Sequence, residues 1–294
     1  MATRTRLVWV AALTLVASLL ADVVLIETTG SRPAWWLPGK AALLLALAAA
    51  ALVVARDRVI AAYGLVLAVV IAAQAFERQV SLAIWWQARF PTDAFVTQFG
   101  GSILLKVIAM VPVVVVLLLV MRSPRAAFLT PGDLRAKAER IGWLGIPGET
   151  ISWGRLAVIS GLLIALGTLL LTLLTVTGFA LPPNLGRLPP LLPLIVLLAL
   201  ANSFAEGVVY RSAVLGPLAG ALPKGAVVLA SAAFFGVAHF YGAPSGVIGV
   251  AMSGVLGWFL ARAMFETRGF LAPWIIHFLQ DVVIFSTIAL LGWP

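Results

Sequence analysis

The chain has no cysteine, only two histidines, and just 11% of its 294 residues are Asp, Glu, Lys or Arg. Without Cys there is no disulfide, no thiolate metal site and no cysteine nucleophile. Any chemistry must come from carboxylate, imidazole, hydroxyl or guanidinium groups. Soluble domains carry about 25% charged residues, and the few present here cannot clothe a globular surface of this size. Apolar residues fill the deficit, at 62% of the chain and a mean hydropathy of +1.10. An all-α polytopic membrane protein is the class that fits. Acidic residues are also scarce, 11 against 20 basic, for a net charge of +9. In a polytopic protein such an excess holds cytoplasmic loops against anionic lipid, so the lipid bilayer and no nucleic acid is the expected partner.

Apolar windows fall near 7–26, 41–55, 59–76, 102–121, 156–180, 191–215, 226–243, 245–264 and 270–292, which predicts about nine transmembrane helices. The first window follows Arg4 and Arg6 and is too long for a signal-peptide core, so it reads as a retained span. Pro, Gly and charge punctuate the breaks, as at Pro38-Gly39-Lys40 and Arg56-Asp57-Arg58. The stretches from Glu77 to Gly101 and from Leu181 to Pro190 are further breaks, and Trp35, Trp36, Trp85 and Trp86 read as interfacial anchors. With the N-terminus inside, alternation through nine spans puts thirteen basic residues inside and five outside. This bias predicts a cytoplasmic N-terminus in a plasma (inner) membrane.

Residues 122–155 form the longest polar segment, a basic cytoplasmic loop with a short helix expected from Asp133 to Ile141. It separates an N-terminal four-span region, 1–121, from a region at 156–294 that holds both histidines. No internal repeat relates the halves, which weighs against a transporter built from duplicated bundles.

A charge at mid-bilayer costs roughly 2.5–3.5 kcal/mol on insertion scales, so each one invites a functional hypothesis. Asp22 and Lys106 are such charges in the first half; Glu206, Arg211, His239, His277 and Asp281 are the polar set of the second. Glu206 and Arg211 are five apart and only partly share a helix face, and Arg211 lies close enough to a predicted span end to snorkel. His239 reads as helical, and a lone helical histidine is more often a packed core residue than a ligand. His277 and Asp281, four apart, share a face, the geometry of a carboxylate that orients an imidazole. Gly249, Ser253 and Gly257 recur every four residues, with Gly242, Gly246 and Gly254 nearby. Such a stripe lets helices approach closely, bringing the helices of His239 and His277 into register. Among intramembrane chemistries, H-E-x-x-H and paired aspartates are absent, and Ser245 and Ser253 lie outside any G-x-S-G.

Glu206-x-x-x-x-Arg211, Phe235-x-x-x-His239 and His277-x-x-x-Asp281, in that order on successive helices, resemble the three motifs of the CAAX prenyl protease and bacteriocin-processing family of intramembrane endopeptidases. The Gly-rich helix between the second and third motifs, and Gly269-Phe-Leu-Ala-Pro273 before His277, extend the resemblance over roughly 190–290. It leaves 1–121 unexplained. The resemblance implies that the C-terminal helices form a catalytic bundle. In it Glu206 with His239 activates a water, and His277 with Asp281 stabilises the oxyanion or positions substrate. Arg211 would hold the catalytic carboxylate or a substrate carboxyl terminus. No cofactor is required by the sequence; a variant with zinc or another divalent metal on His239, His277, Glu206 and Asp281 stays open. The implied partner is a membrane-anchored or lipidated peptide or protein substrate, reached through a cavity expected to open toward the cytoplasm.

Two departures stand out. The family's first motif usually has two adjacent glutamates, and here the second is Gly207, which deprives Arg211 of a partner one turn away. The third motif ends in Asp281 where the family often has Asn, so Asp281 is expected to orient His277. The alternative reading is a catalytically silent scaffold or bacteriocin-immunity-type protein that binds a peptide in the same cavity.

Overall fold

The computed structural model describes residues 1–91, 94–180, 182, 184–242 and 244–291. The ends of the last apolar window and of the Leu181 break fall outside the described residues. Among the described residues helices are the only extended regular structure, with isolated bridges at Lys137–Ser152 and Ile141–Ile146. In chain order the helices are α1 (Thr3–Ala17), α2 (Leu20–Thr29), α3 (Trp36–Val53), α4 (Arg58–Ser81), α5 (Ile84–Arg89) and α6 (Phe95–Met121). There follow α7 (Trp153–Thr172), α8 (Leu188–Gly207), α9 (Ala213–Leu218), α10 (Lys224–Ala238), α11 (Gly246–Thr267) and α12 (Leu271–Leu291). Among the described residues seven helical stretches are long and apolar enough to cross a membrane, or eight if α1 and α2, bent by 42°, make one span. The remaining apolar window of the sequence corresponds to α10, which has 15 residues.

The bend between α1 and α2 has an identifiable cause. Ser18 is extended, which frees carbonyls that a continuous helix would use, and its oxygen accepts from the buried Lys40 Nζ at 2.8 Å. Lys40 also pairs with Asp22, which accepts from Arg32 at 2.7 Å. The intramembrane Asp22 is thus neutralised by its own half of the chain.

The Ala-rich α3 packs tightly on α4, where a Cβ on Gly64 would stand 3.0 Å from that of Ala48. Asp57 ends this hairpin's turn. Its carboxylate caps α4 by accepting from the amides of Val59 and Ile60, and it pairs with Arg6 at 2.7 Å. The N-terminus of α1 and the α3–α4 turn therefore share one face of the bundle.

On that same face, the segment between α6 and α7 departs from expectation. No helix forms from Asp133 to Ile141. Pro131-Gly132, Gly145 and Pro147-Gly148 interrupt any helical run, with Gly132, Gly145 and Gly148 at positive φ. Asp133 instead makes a turn, accepting from the Arg135 amide. The segment is strapped down at two places. Glu266 accepts from the Glu139 amide, Trp153 Nε1, Lys224 and Arg262. Around Gly132, the Thr130 and Pro131 carbonyls accept from Phe270 and Leu271, and the Asp133 amide donates to Thr267. A Cβ on Gly269 would lie 2.2 Å from Gly132 Cα, so neither glycine tolerates a side chain.

The glycine stripe of α11 packs on α10. A Cβ on Gly257 would meet the Phe235 ring at 2.8 Å, and one on Gly236 would meet the backbone of Val250 and Gly254. α12 packs against α7, α8 and α11.

The Asp57 clamp lies outside the spans and is open to test by pH. Burial works to raise its pKa, but the Arg6 guanidinium and the amides of Ile60 and Val59 outweigh burial and hold it below the ordinary 3.8. A pKa lowered by folding contributes stability that is complete above the ordinary value and lost as the pH falls through the folded one. The melting-temperature advantage of wild type over Asp57→Asn should therefore be full at neutral pH and shrink only below about pH 3.8.

Candidate functional site

Glu206 lies on the last turn of α8, and the helix then widens into a π-helical turn over Val208–Ser212 before α9. A π turn adds a residue per turn, which swings Arg211 toward the face of Glu206, where an α-helix would leave the two only partly aligned. Arg211 does not snorkel. It is fully buried, and its Nη2 stands 3.2 Å from His277 Nδ1 and 3.5 Å from the Ser203 carbonyl.

His277 and Asp281 project from α12 into the same place. His277 Nε2 is 3.6 Å from Glu206 Oε2 and 3.5 Å from Asp281 Oδ1. A guanidinium only donates, so His277 Nδ1 must accept, which places the ring proton on Nε2 facing both carboxylates. The other oxygen of each carboxylate is held from elsewhere. Lys106 Nζ, on α6, donates to Glu206 Oε1 at 2.9 Å and to Asn202 Oδ1 at 2.6 Å, and Asn202 Nδ2 donates to Asp281 Oδ2 at 2.9 Å. The ammonium fixes the Asn202 amide, because only its oxygen can face Lys106.

His239 is placed differently. It is not inside α10 but caps its C-terminus, because Gly242 and Pro244 end the helix. Its Nδ1 is 2.8 Å from the Phe235 carbonyl, which only accepts, so Nδ1 carries a proton and, in the neutral ring, Nε2 is the nitrogen with the lone pair. No direct hydrogen bond joins it to Glu206, His277 or Asp281. The Phe235 ring contacts both imidazoles, with centroids 4.3 Å from His239 and 5.7 Å from His277. The two histidines thus hold opposite tautomers, one offering a lone pair and the other an N–H.

A chamber of about 60 Å³ lies against Glu206 and Lys106, walled also by Gln74, Glu77 and Tyr210 and by apolar side chains such as Val70, Met110 and Val209. That is room for water, and the carboxylates, the ammonium and the Gln74 amide on its wall give a water hydrogen-bond partners. Gln74, Glu77 and Tyr210 also line a larger cavity of about 500 Å³, with Asp22, Arg32, Lys40 and Arg78 and the exposed rim residues Ser81, Gln87 and Gln98. The rim is built by the end of α4, by α5 and by the start of α6. The cavity accordingly faces the side of the bundle opposite the N-terminus. A cytoplasmic N-terminus and a cavity open to the cytoplasm cannot both hold; the placement of the rim removes the second expectation wherever the first is true.

Residues 188–283 match the family model described as Rce1-like, type II CAAX prenyl endopeptidase Rce1-like. Over these residues the chain is similar to an Rce1-like domain. The match agrees with the motif resemblance to the CAAX prenyl protease and bacteriocin-processing family over this third of the chain, and together with the apolar helices it indicates an integral membrane protein. No curated protein and no solved structure matches the chain.

Glu206, Arg211, His239, His277, Asp281 and Asn202 all lie within the Rce1-like segment; Lys106 and Glu77 come from outside it. Asn202 is not evident in the sequence, although it stands one helical turn before Glu206 on the same face. Glu77 lies in a stretch that reads as a break between spans.

The residues as placed do not fit a divalent ion. An ammonium occupies Glu206 Oε1, a guanidinium faces His277 Nδ1, and His277 Nε2 carries a proton. Among the described residues no group of three His, Asp or Glu side chains is disposed around a common point for a metal.

The glycine in place of the second motif glutamate has a steric counterpart. A Cβ on Gly207 would stand 2.3 Å from Phe270 Cζ and 3.1 Å from Arg211 Nη2. The Phe270 ring, packed by Phe204 and Trp274, fills the space. Arg211 Nε and Nη1 are correspondingly buried without a partner. Gly207→Ala is expected to cost about 1–3 kcal/mol through overpacking. Adding Phe270→Leu should recover most of it, as read from melting temperatures in detergent.

Proposed function

We propose that the protein is an intramembrane endopeptidase in which Glu206 and His239 activate a water for attack on a peptide bond. The observation that carries this reading is the convergence of Glu206, His277 and Asp281 from helices about 70 positions apart in sequence, with Glu206 on the wall of a chamber that has room for water. In the proposed step a water held by Glu206 loses its proton to the carboxylate, its oxygen bonds to the scissile carbonyl carbon, and the carbonyl oxygen takes up the negative charge. The Nε2–H of His277 is a donor of the kind that stabilises such an oxyanion, and Asp281 holds the ring that carries it. The proton then passes to the departing amine as the C–N bond breaks. In this reading His239 assists Glu206 through Nε2, the ring nitrogen that the Phe235 carbonyl leaves free. Arg211 acts through His277 by fixing its tautomer. The substrate class is a membrane-anchored or lipidated peptide, in a plasma membrane with the N-terminus cytoplasmic.

A second reading, a silent peptide-binding protein, is favoured by the missing second glutamate and the Phe270 ring in its place. The test separates the two. Protein in nanodiscs is incubated with a library of membrane-anchored peptides and the products are read by mass spectrometry. Glu206→Gln should lower the cleavage rate by a factor of about 10²–10⁴, the usual worth of a general base, and His239→Ala should also slow it. Cleavage that survives Glu206→Gln removes the proposal. Peptide retained without cleavage by wild type and variant alike supports the silent reading.

A further inference from the structure

Lys106 belongs to the half of the chain that the Rce1-like match does not cover, yet it is bonded to two residues of the site, 96 and 100 positions away. An ammonium in a bilayer span is costly, and an ion pair of purely structural use is replaceable by apolar side chains, often with a gain in stability. Three features of this ammonium go further than pairing. It takes Glu206 Oε1 and leaves Oε2 toward His277 Nε2, so it decides which carboxylate oxygen faces the imidazole. Through the oxygen of Asn202 it orients that amide, whose nitrogen then holds Asp281 Oδ2 and turns Oδ1 toward the same imidazole. And it is not sealed away: 31% of its side chain is accessible, on the wall of the chamber that also touches Glu206.

We propose that Lys106 is a positioning residue of the site, a single ammonium on α6 that aligns both carboxylates about His277, Glu206 directly and Asp281 through Asn202. The inference rests on the endopeptidase reading for its effect on rate, and on geometry alone for the alignment. The four-span N-terminal region is then a functional half of the site, supplying the charge that orients groups borne by the other half.

Lys106→Met, Lys106→Arg and Lys106→Gln are to be compared with wild type on a cleaved peptide. Loss of alignment is expected to lower kcat by about 100-fold, the scale of a 1 Å misplacement. kcat/KM should fall in proportion, with KM unchanged. Lys106→Arg, which keeps the charge and the donors, should recover part of the loss, and Lys106→Gln, with a donor but no charge, less. A Lys106→Met enzyme with wild-type kcat overturns the proposal, as does a loss confined to KM. Should Lys106→Met fail to fold, the order of Lys106→Arg above Lys106→Gln in kcat decides, and equal values overturn it.

Where wild type itself cleaves nothing, the endopeptidase reading fails and a thermal cycle decides the alignment separately. Lys106→Met and Glu206→Gln should each lower the melting temperature, and the double variant should be more stable than the summed losses predict, because neither charge is left alone. Additive losses overturn the alignment.

Discussion

A charge in hydrocarbon must find an opposite charge or a full set of hydrogen bonds, and much of this structure follows from how that demand is met. Asp22 is satisfied within the first half by Lys40 and Arg32. Glu266 is satisfied near the face that carries the N-terminus by Lys224 and Arg262, and its other oxygen ties down the 122–152 segment. Glu206 has the His277 imidazole of its own half beside Oε2, but the ammonium that bonds its Oε1 is that of Lys106, 100 positions earlier. The three acids therefore differ in what their pairing builds. Asp22 stabilises a bent entry span, Glu266 anchors a loop, and Glu206 welds the two halves together at the site.

The second determinant is close approach. Gly257 lies under the Phe235 ring, Gly236 rests on the α11 backbone, and Gly132 touches Gly269. These contacts set the spacing of α10, α11 and α12, so the Phe235 ring reaches both imidazoles. Donor and acceptor chemistry then fixes the protons. The Arg211 guanidinium donates toward His277 Nδ1 and the Phe235 carbonyl accepts from His239 Nδ1, so in their neutral forms the two rings hold opposite tautomers.

Much of the fold is legible in the sequence because lipid imposes a length and a composition on each span: every apolar window corresponds to a helix, with ends displaced by up to about seven residues, as at the start of α6. The loop helix expected from Asp133 does not form, since a helical pattern nine residues long gives way to Gly and Pro punctuation and to the pull of Glu266. Apolar residues continue up to Gly242 and so read as helix through His239, whereas the backbone stops at the cap. In the site, the motif residues are visible by type and spacing. Lys106 is visible only as an anomaly, because nothing local reports a partner 100 residues away, and Asn202 is neutral and draws no attention. The filling of the Gly207 space by Phe270 depends on which turn packs on which helix, and no local pattern encodes that.

The contact between Gly132 and Gly269 acts as a fulcrum. With the α11–α12 turn pinned there by backbone hydrogen bonds on both sides, sliding α12 along its axis would break those bonds, whereas a tilt about the pin would keep them. At about 1.5 Å per residue, His277 rides roughly 10 Å from that pivot and Leu291 roughly 30 Å from it. A tilt that carries the far end of the helix through several ångströms displaces the imidazole by only a third as much. The lever therefore places freedom of movement at the end of α12 remote from the pin and stillness at the ring.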